Sequence, residues 1–125
     1  MKLVDTTVAV DHLRGLPAAA DLLAGLISEG EALVASEVTR FELLAGVRKA
    51  ELESLDAFFS SLAWAPIDEE ISRTAGILAH HLRRSQGGID DADYLIAATA
   101  AVLEAGLLTT NVRHFPMIEG LRPPY

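Results

Sequence analysis

Apolar residues along this chain fall into short β-branched or continuous runs separated by longer stretches of helical spacing. The opening run, "KLVDTTVAV", predicts a first strand with Asp5 near its end, and "ALVAS" predicts a second buried strand. Between them "PAAADLLAGLISEG" has helical spacing, with Pro17 at its start and Gly30 at its close. A helix is predicted from Glu37 to Lys49 and another over "AELESLDAFFSSL", followed by a short strand in "AWAPI". From Asp68 to Arg84, Ile71, Ala75, Leu78 and Leu82 recur at the helical period, and Gly87 and Gly88 interrupt the pattern. "DADYLIAATAAVLEAG" is the next helix, read as ending at Gly106, and "LLTTN" is a last short strand. Short buried strands alternating with helices predict a parallel sheet covered on both faces, an α/β fold.

Composition narrows this picture. At 125 residues, half of them hydrophobic, the chain can bury a core without staples and is expected to form one domain over residues 1–125. There is no cysteine, which excludes a disulfide scaffold, a thiolate metal site and a Cys nucleophile. "MKLVDTTVAV" reaches Asp5 before any apolar segment long enough for a signal core, and "YLIAATAAVL" is too short to span a bilayer; the expected location is the cytoplasm. A net charge of -8 argues against a generic basic nucleic-acid-binding surface and favours a cationic partner or bound metal ions.

Open α/β sheets bind ligands beyond the carboxyl ends of their strands. In this chain those places are Asp5, the Ser36 to Glu42 segment, the Asp90 to Asp93 cluster and Asn111. Asp5 has an ordinary reading as a turn or cap residue, although Thr6 and Thr7 are able to cap as well. Glu42 completes a capping box with Thr39; Ser36 is an equally good cap, and with it Glu42 lies inside the helix on a half-buried face. Of the three aspartates before "YLIAATA", one or two suit a helix start. Residues three apart share a helical face, so Asp90 is better placed than Asp91 to lie beside Asp93. If such acids converge at about 4 Å, each pair costs on the order of 4 kcal/mol at an effective dielectric of about 20, which divalent cations relieve. Hard oxygen donors without thiolate suit Mg²⁺ or Mn²⁺, and an acidic cage near a phosphate can activate water and neutralise charge in an in-line displacement.

Four segments together, "VDTTV", "SEVTRFELLAGV", "DADYLIAATA" and "LLTTNVRHF", give the chain a resemblance over essentially its whole length to PIN-domain ribonucleases, and among them to VapC-type toxins of toxin–antitoxin pairs. The resemblance implies a three-layer α/β/α fold with a central, mostly parallel sheet. It implies that Asp5, Glu42 and Asp93 are metal-site acids, with Asn111 at a fourth position that is often an aspartate; Asp90 or Asp91, on the facing helix, is placed to compensate for that missing acid. It further implies a Mg²⁺- or Mn²⁺-dependent endoribonuclease that leaves the phosphate on the 5′ side of the product, a homodimer, and a separately encoded VapB-like antitoxin whose tail enters the active-site groove. The other reading is a PIN-like binding module that has lost catalysis, motivated by Asn111.

Substrate contacts are expected from Thr6 and Arg113, with Arg83, Arg84 and His114 as further candidates for gripping RNA. The ordinary reading of Arg83 and Arg84 is a solvated helix end that favours cations. His80 and His81 are adjacent on a helix, point about 100° apart and lack a third histidine, so surface or structural roles are expected. Trp64, Phe58, Phe59 and Tyr94 are read as core or interface residues, and Ser60 and Ser61 lack a nucleophile-elbow context. A phosphoacceptor domain would need adjacent acids after the first strand and a late lysine; the only lysines are Lys2 and Lys49.

Overall fold

The computed structural model describes all residues, 1–125. Its strands are β1 (Lys2–Val4), β2 (Leu33–Ser36), β3 (Ala63–Ala65) and β4 (Gly106–Leu108), in the spatial order β3-β2-β1-β4, and every neighbouring pair is parallel. The helices are α1 (Thr6–Leu13), α2 (Pro17–Ser28), α3 (Glu37–Gly46), α4 (Leu52–Ser60), α5 (Glu69–Leu82) and α6 (Asp91–Leu103), with 3-10 turns at Lys49–Glu51 and Val112–His114.

Successive strand side chains point to opposite faces, and here this alternation divides the core in two. Val4, Leu33, Ala35 and Leu108 pack with Val8, Leu23, Leu43, Leu55 and Phe58 of α1 to α4. Leu3, Val34, Ala65 and Leu107 pack on the other face with Ile96, Ala97 and Ala100 of α6. Ile71 and Ala75 of α5 then cover Tyr94 and Ala98 on the outer side of α6. The three-layer arrangement follows from these apolar stripes. No helix is long and apolar enough to cross a membrane.

Two expectations need correction. The run after Asp5 is not strand: "TTVAVDHL" forms α1. Its β-branched residues favour extended backbone, yet Val8 and Ala9 become fully buried against the sheet only in a helix, and packing overrides the weak propensity. The last helix ends at Leu103, not at Gly106; Glu104 adopts the left-handed conformation (φ 53°) that terminates it, and Gly106 is the first residue of β4. A Cβ at Gly106 would lie 3.0 Å from Lys2 Nζ on the neighbouring strand. The remaining elements appear where expected with shifted ends: α3 stops at Gly46 and β4 at Leu108, because Thr109 leaves the ladder to serve the site below.

Phe58 and Tyr94 are buried, as expected. Phe59 and Trp64 pack edge to face at 5.0 Å, with the Arg40 guanidinium 3.9 Å above the Trp64 ring. At the carboxyl terminus the Tyr125 hydroxyl donates to Asp11 Oδ2 at 2.6 Å and ties the tail to α1.

Ala97 and Ala98 are 2% and 0% exposed, and their small side chains set how closely α6 approaches its neighbours. Ala97→Leu should overpack the contact with Leu3 and Val34 and lower stability by about 1–3 kcal/mol, read as a lower urea midpoint.

Candidate active site

β1 is central: the chain builds β2 and β3 to one side of it and then returns to place β4 on the other. At such a reversal the connections leave in opposite directions and open a crevice at the carboxyl ends of the strands. Asp5 stands in that crevice. Its N–H donates to the Leu108 carbonyl at 2.9 Å, and the residue is buried, 4% exposed. Oδ2 accepts from Thr109 Oγ1 at 2.7 Å and from Thr7 Oγ1 at 3.1 Å. Those two hydroxyls offset the desolvation of the charge. The same hydroxyls are fixed in turn, since Thr7 Oγ1 accepts from the Thr110 N–H at 3.1 Å and Thr109 Oγ1 from the Asn111 N–H at 3.0 Å. Asp5 thus occupies the N-cap position of α1 without making the cap bond.

Glu42 comes from α3. Ser36 caps this helix, accepting from the Val38 N–H at 3.0 Å, which leaves Glu42 free of a capping box. Its Oε1 accepts instead from Thr6 Oγ1 at 2.7 Å, and Thr6 also lies 3.2 Å from the buried Thr39 hydroxyl. Burial raises the Glu42 pKa above the usual carboxylate value; the Thr6 hydroxyl opposes this, and the charges of Asp5, Asp93 and Asp90 raise it further.

Asp93 is the third residue of α6, and its Oδ2 accepts from the Asp90 N–H at 3.1 Å. The same oxygen is 3.0 Å from His114 Nδ1. Burial again raises the pKa, against the Asp90 N–H and His114, while Asp5 adds repulsion. Three carboxylates from three elements therefore feel one another across a single crevice. They do not form a ready cage: no three His, Cys, Asp or Glu side chains are gathered as a metal-coordinating group.

Asp90 is the N-cap residue of α6 and close enough to Glu42 to affect it. Asp91 turns away, with its side chain 83% exposed and paired to Arg83 Nη2. Asn111 Nδ2 is 2.9 Å from His114 Nδ1, so the neutral amide reaches Asp93 only through the imidazole. One ring nitrogen cannot both donate to the carboxylate and accept from the amide. With Nδ1 protonated it donates to Asp93, and Asn111 Nδ2 cannot then donate to the same nitrogen. Thr6, expected to touch substrate, has its hydroxyl engaged by Glu42, and Arg113 is exposed on the 3-10 turn beside His114. His80 and His81 lie on α5, their rings 5.7 Å apart edge to face. Ser60 and Ser61 bond the carbonyls of Asp56 and Phe58 at the end of α4.

Sequence reasoning did not single out Thr109 or the supporting role of Thr39. The signal was faint: a hydroxyl residue immediately beyond the last apolar strand position, where a side chain can reach back across to β1.

A wholly parallel α/β sheet with carboxylates converging at its switch point defines a class of acid-site domains, and comparison with known proteins narrows it. Residues 2–120 match the family model described as PIN domain. The chain is 65% identical to Ribonuclease VapC19 of Mycobacterium tuberculosis, with 100% of both chains covered. It is 44% identical to Ribonuclease VapC10 of the same organism, covering 100% of this chain and 93% of that one. Among solved structures, VapBC2 from Rickettsia felis bound to a DNA fragment from its promoter superposes with a TM-score of 0.84 at 24% identity, covering 96% of this chain and 94% of that one. The chain belongs to the PIN-domain family, whose VapC ribonucleases use a divalent metal.

Thr109→Val keeps the shape of the buried side chain and removes its hydroxyl from both Asp5 and the Asn111 N–H. Stability should fall by about 1–3 kcal/mol in denaturant titration, because two polar groups lose a partner at a buried position.

Proposed function

We propose that this chain is a Mg²⁺- or Mn²⁺-dependent endoribonuclease, the toxin of a toxin–antitoxin pair. The observation that carries the reading is the convergence of Asp5, Glu42 and Asp93 at the switch point of a domain 65% identical to a named VapC ribonuclease. The donor set suits a hard divalent cation, being carboxylate oxygen without thiolate. Asp5, Glu42 and Asp93 would hold the ion, with Asp90 beside Glu42 as an auxiliary acid. When bound, the ion supplies Lewis-acid stabilisation of the phosphodiester and activation of water. The protein's part is orientation. Thr7 and Thr109 aim the Asp5 carboxylate, Thr6 aims Glu42, and the Asp90 N–H with His114 aims Asp93. Asn111 positions His114 and contributes no charge of its own. Arg113, exposed beyond Asn111, is assigned to the RNA backbone.

In this reading the protein works in the cytoplasm as a single domain, assembles as a homodimer, and is held inactive by a VapB-like antitoxin. The structural neighbours include toxin–antitoxin complexes, and a net charge of -8 complements a cationic antitoxin tail. Because Asn111 removes one acid, a binding module without catalysis is the second reading. RNA cleavage measured with Mg²⁺, with Mn²⁺ and with EDTA separates them. The enzyme reading expects metal-dependent cleavage that falls on the order of a hundredfold or more in Asp5→Asn and Asp93→Asn. Metal binding by calorimetry without cleavage in any metal favours the binding module.

The raised pKa values of Glu42 and Asp93 also give a stability prediction. A carboxyl group with a higher pKa folded than unfolded binds protons more readily in the native state, so without metal it destabilises the fold once ionised. Stability should rise as pH falls through the raised folded values and level off below the unfolded ones. At neutral pH in EDTA, Glu42→Gln should melt above the wild type. Mn²⁺ should raise the wild-type melting temperature and raise that of Glu42→Gln less, as followed by circular dichroism.

A further inference from the structure

The sequence has 18 acidic residues, yet none between Glu70 and Asp90, the interval that holds Arg73, His80, His81, Arg83 and Arg84. These residues belong to α5 and the two positions after it, and the fold gathers them on one open surface. Gly76, Ala79, His80, Arg83 and Arg84 line one shallow cleft; Arg73, Gly76, Ile77, His80 and His81 line a second that shares Gly76 and His80 with the first. Gly76 leaves the floor open, since a Cβ there would meet nothing within 4 Å.

The surface adjoins the first turn of α6. Arg83 pairs with Asp91 and lies over the Tyr94 ring at 5.5 Å, so it sits against the same first turn of α6 that carries Asp93. Arg73 is paired with Glu69 at 3.1 Å, while Arg84 is exposed and has no ion pair. Exposed pairs of this kind hold their partners weakly, leaving the guanidinium groups free to exchange onto phosphate. Preference for cations at a helix end accounts for residues in the last turn. It does not account for Arg73 nearly three turns earlier, nor for the absence of acids along the whole interval. From Arg73 to Arg84 the helical rise covers about 16 Å, enough to meet more than one backbone phosphate.

We propose that the exposed face of α5, from Arg73 to Arg84, is a phosphate-gripping surface that holds an RNA strand against the acidic crevice. An otherwise anionic protein repels RNA, and this strip places local cationic attraction beside the carboxylates. Arg73 and Arg84 bind backbone oxygens, and His80 and His81 add ring N–H donors in the clefts they line. The proposal rests on the ribonuclease reading of the crevice but is tested apart from cleavage.

The probe is a labelled single-stranded oligoribonucleotide, titrated with full-length protein in EDTA across a series of potassium chloride concentrations. Relative to wild type, the double variant Arg73→Gln/Arg84→Gln should bind on the order of tenfold more weakly, and its salt dependence should flatten by about 0.7 for each phosphate contact removed. Arg73→Lys/Arg84→Lys retains the charge and should keep the wild-type salt slope. Arg122→Gln, which removes an exposed charge from the tail, should change neither quantity. Equal affinity and slope in wild type and the Gln double variant overturn the proposal. So does a loss that the Lys variant shares in full with an unchanged slope, since that is a packing effect. Unaltered RNA binding with impaired capture of the antitoxin would assign the surface to a protein partner and also overturn it. RNA binding that follows the charge, together with no cleavage in any metal, would uphold the surface and defeat the ribonuclease reading.

Discussion

The hydrogen bond from Thr109 to Asp5, 104 residues apart in sequence, is the contact on which the site depends. It joins the carboxyl ends of β1 and β4, two strands that become neighbours only after the chain has built the other half of the sheet. The carboxylate of a residue only 4% exposed needs donors, and both donors to Asp5 are hydroxyls that accept in turn from backbone amides, Thr7 from Thr110 and Thr109 from Asn111. The arrangement buries a charge at the start of α1 while keeping it aimed into the crevice rather than onto the helix's own amides.

Around this point the structure is organised to bring acids together against their repulsion. Asp5, Glu42 and Asp93 arrive from a strand end, a helix interior and a helix start, and each is restrained by a different donor: paired threonine hydroxyls, Thr6, and the Asp90 N–H with His114. Burial is the first cause of the raised pKa values of Glu42 and Asp93, and the neighbouring carboxylate charges add to it. Charge crowding of this kind is a feature of functional sites, because folding alone would disperse it. The basic strip of α5 is the complementary feature, with cations set against the first turn of α6 and linked to it through Arg83 and Asp91.

The departure at Asn111 acquires a structural meaning. Its side chain does not stand among the carboxylates as a fourth donor; it meets His114, and His114 meets Asp93. A neutral amide and an imidazole thus occupy the corner where a further acid would have intensified the repulsion.

Much of this was legible along the chain. The short apolar runs within "KLVDTTVAV", "ALVAS" and "LLTTN", and the helical spacing of Ile71, Ala75, Leu78 and Leu82, predict a parallel sheet between helical layers, because each face of a strand or helix needs an apolar partner. The acids at strand ends were visible for the same reason: charge is out of place there unless something uses it. Two things were decided only in three dimensions. The run "TTVAVDHL" has the local preferences of a strand and becomes α1 because burial of Val8 and Ala9 outweighs backbone propensity. Which hydroxyl serves which carboxylate depends on the order β3-β2-β1-β4, since donors such as Thr109 and Thr6 have no sequence neighbour to mark them. Local pattern determined every element but α1, and the acids; the strand order determined their partners, because a hydrogen bond across a crevice exists only once both walls are built.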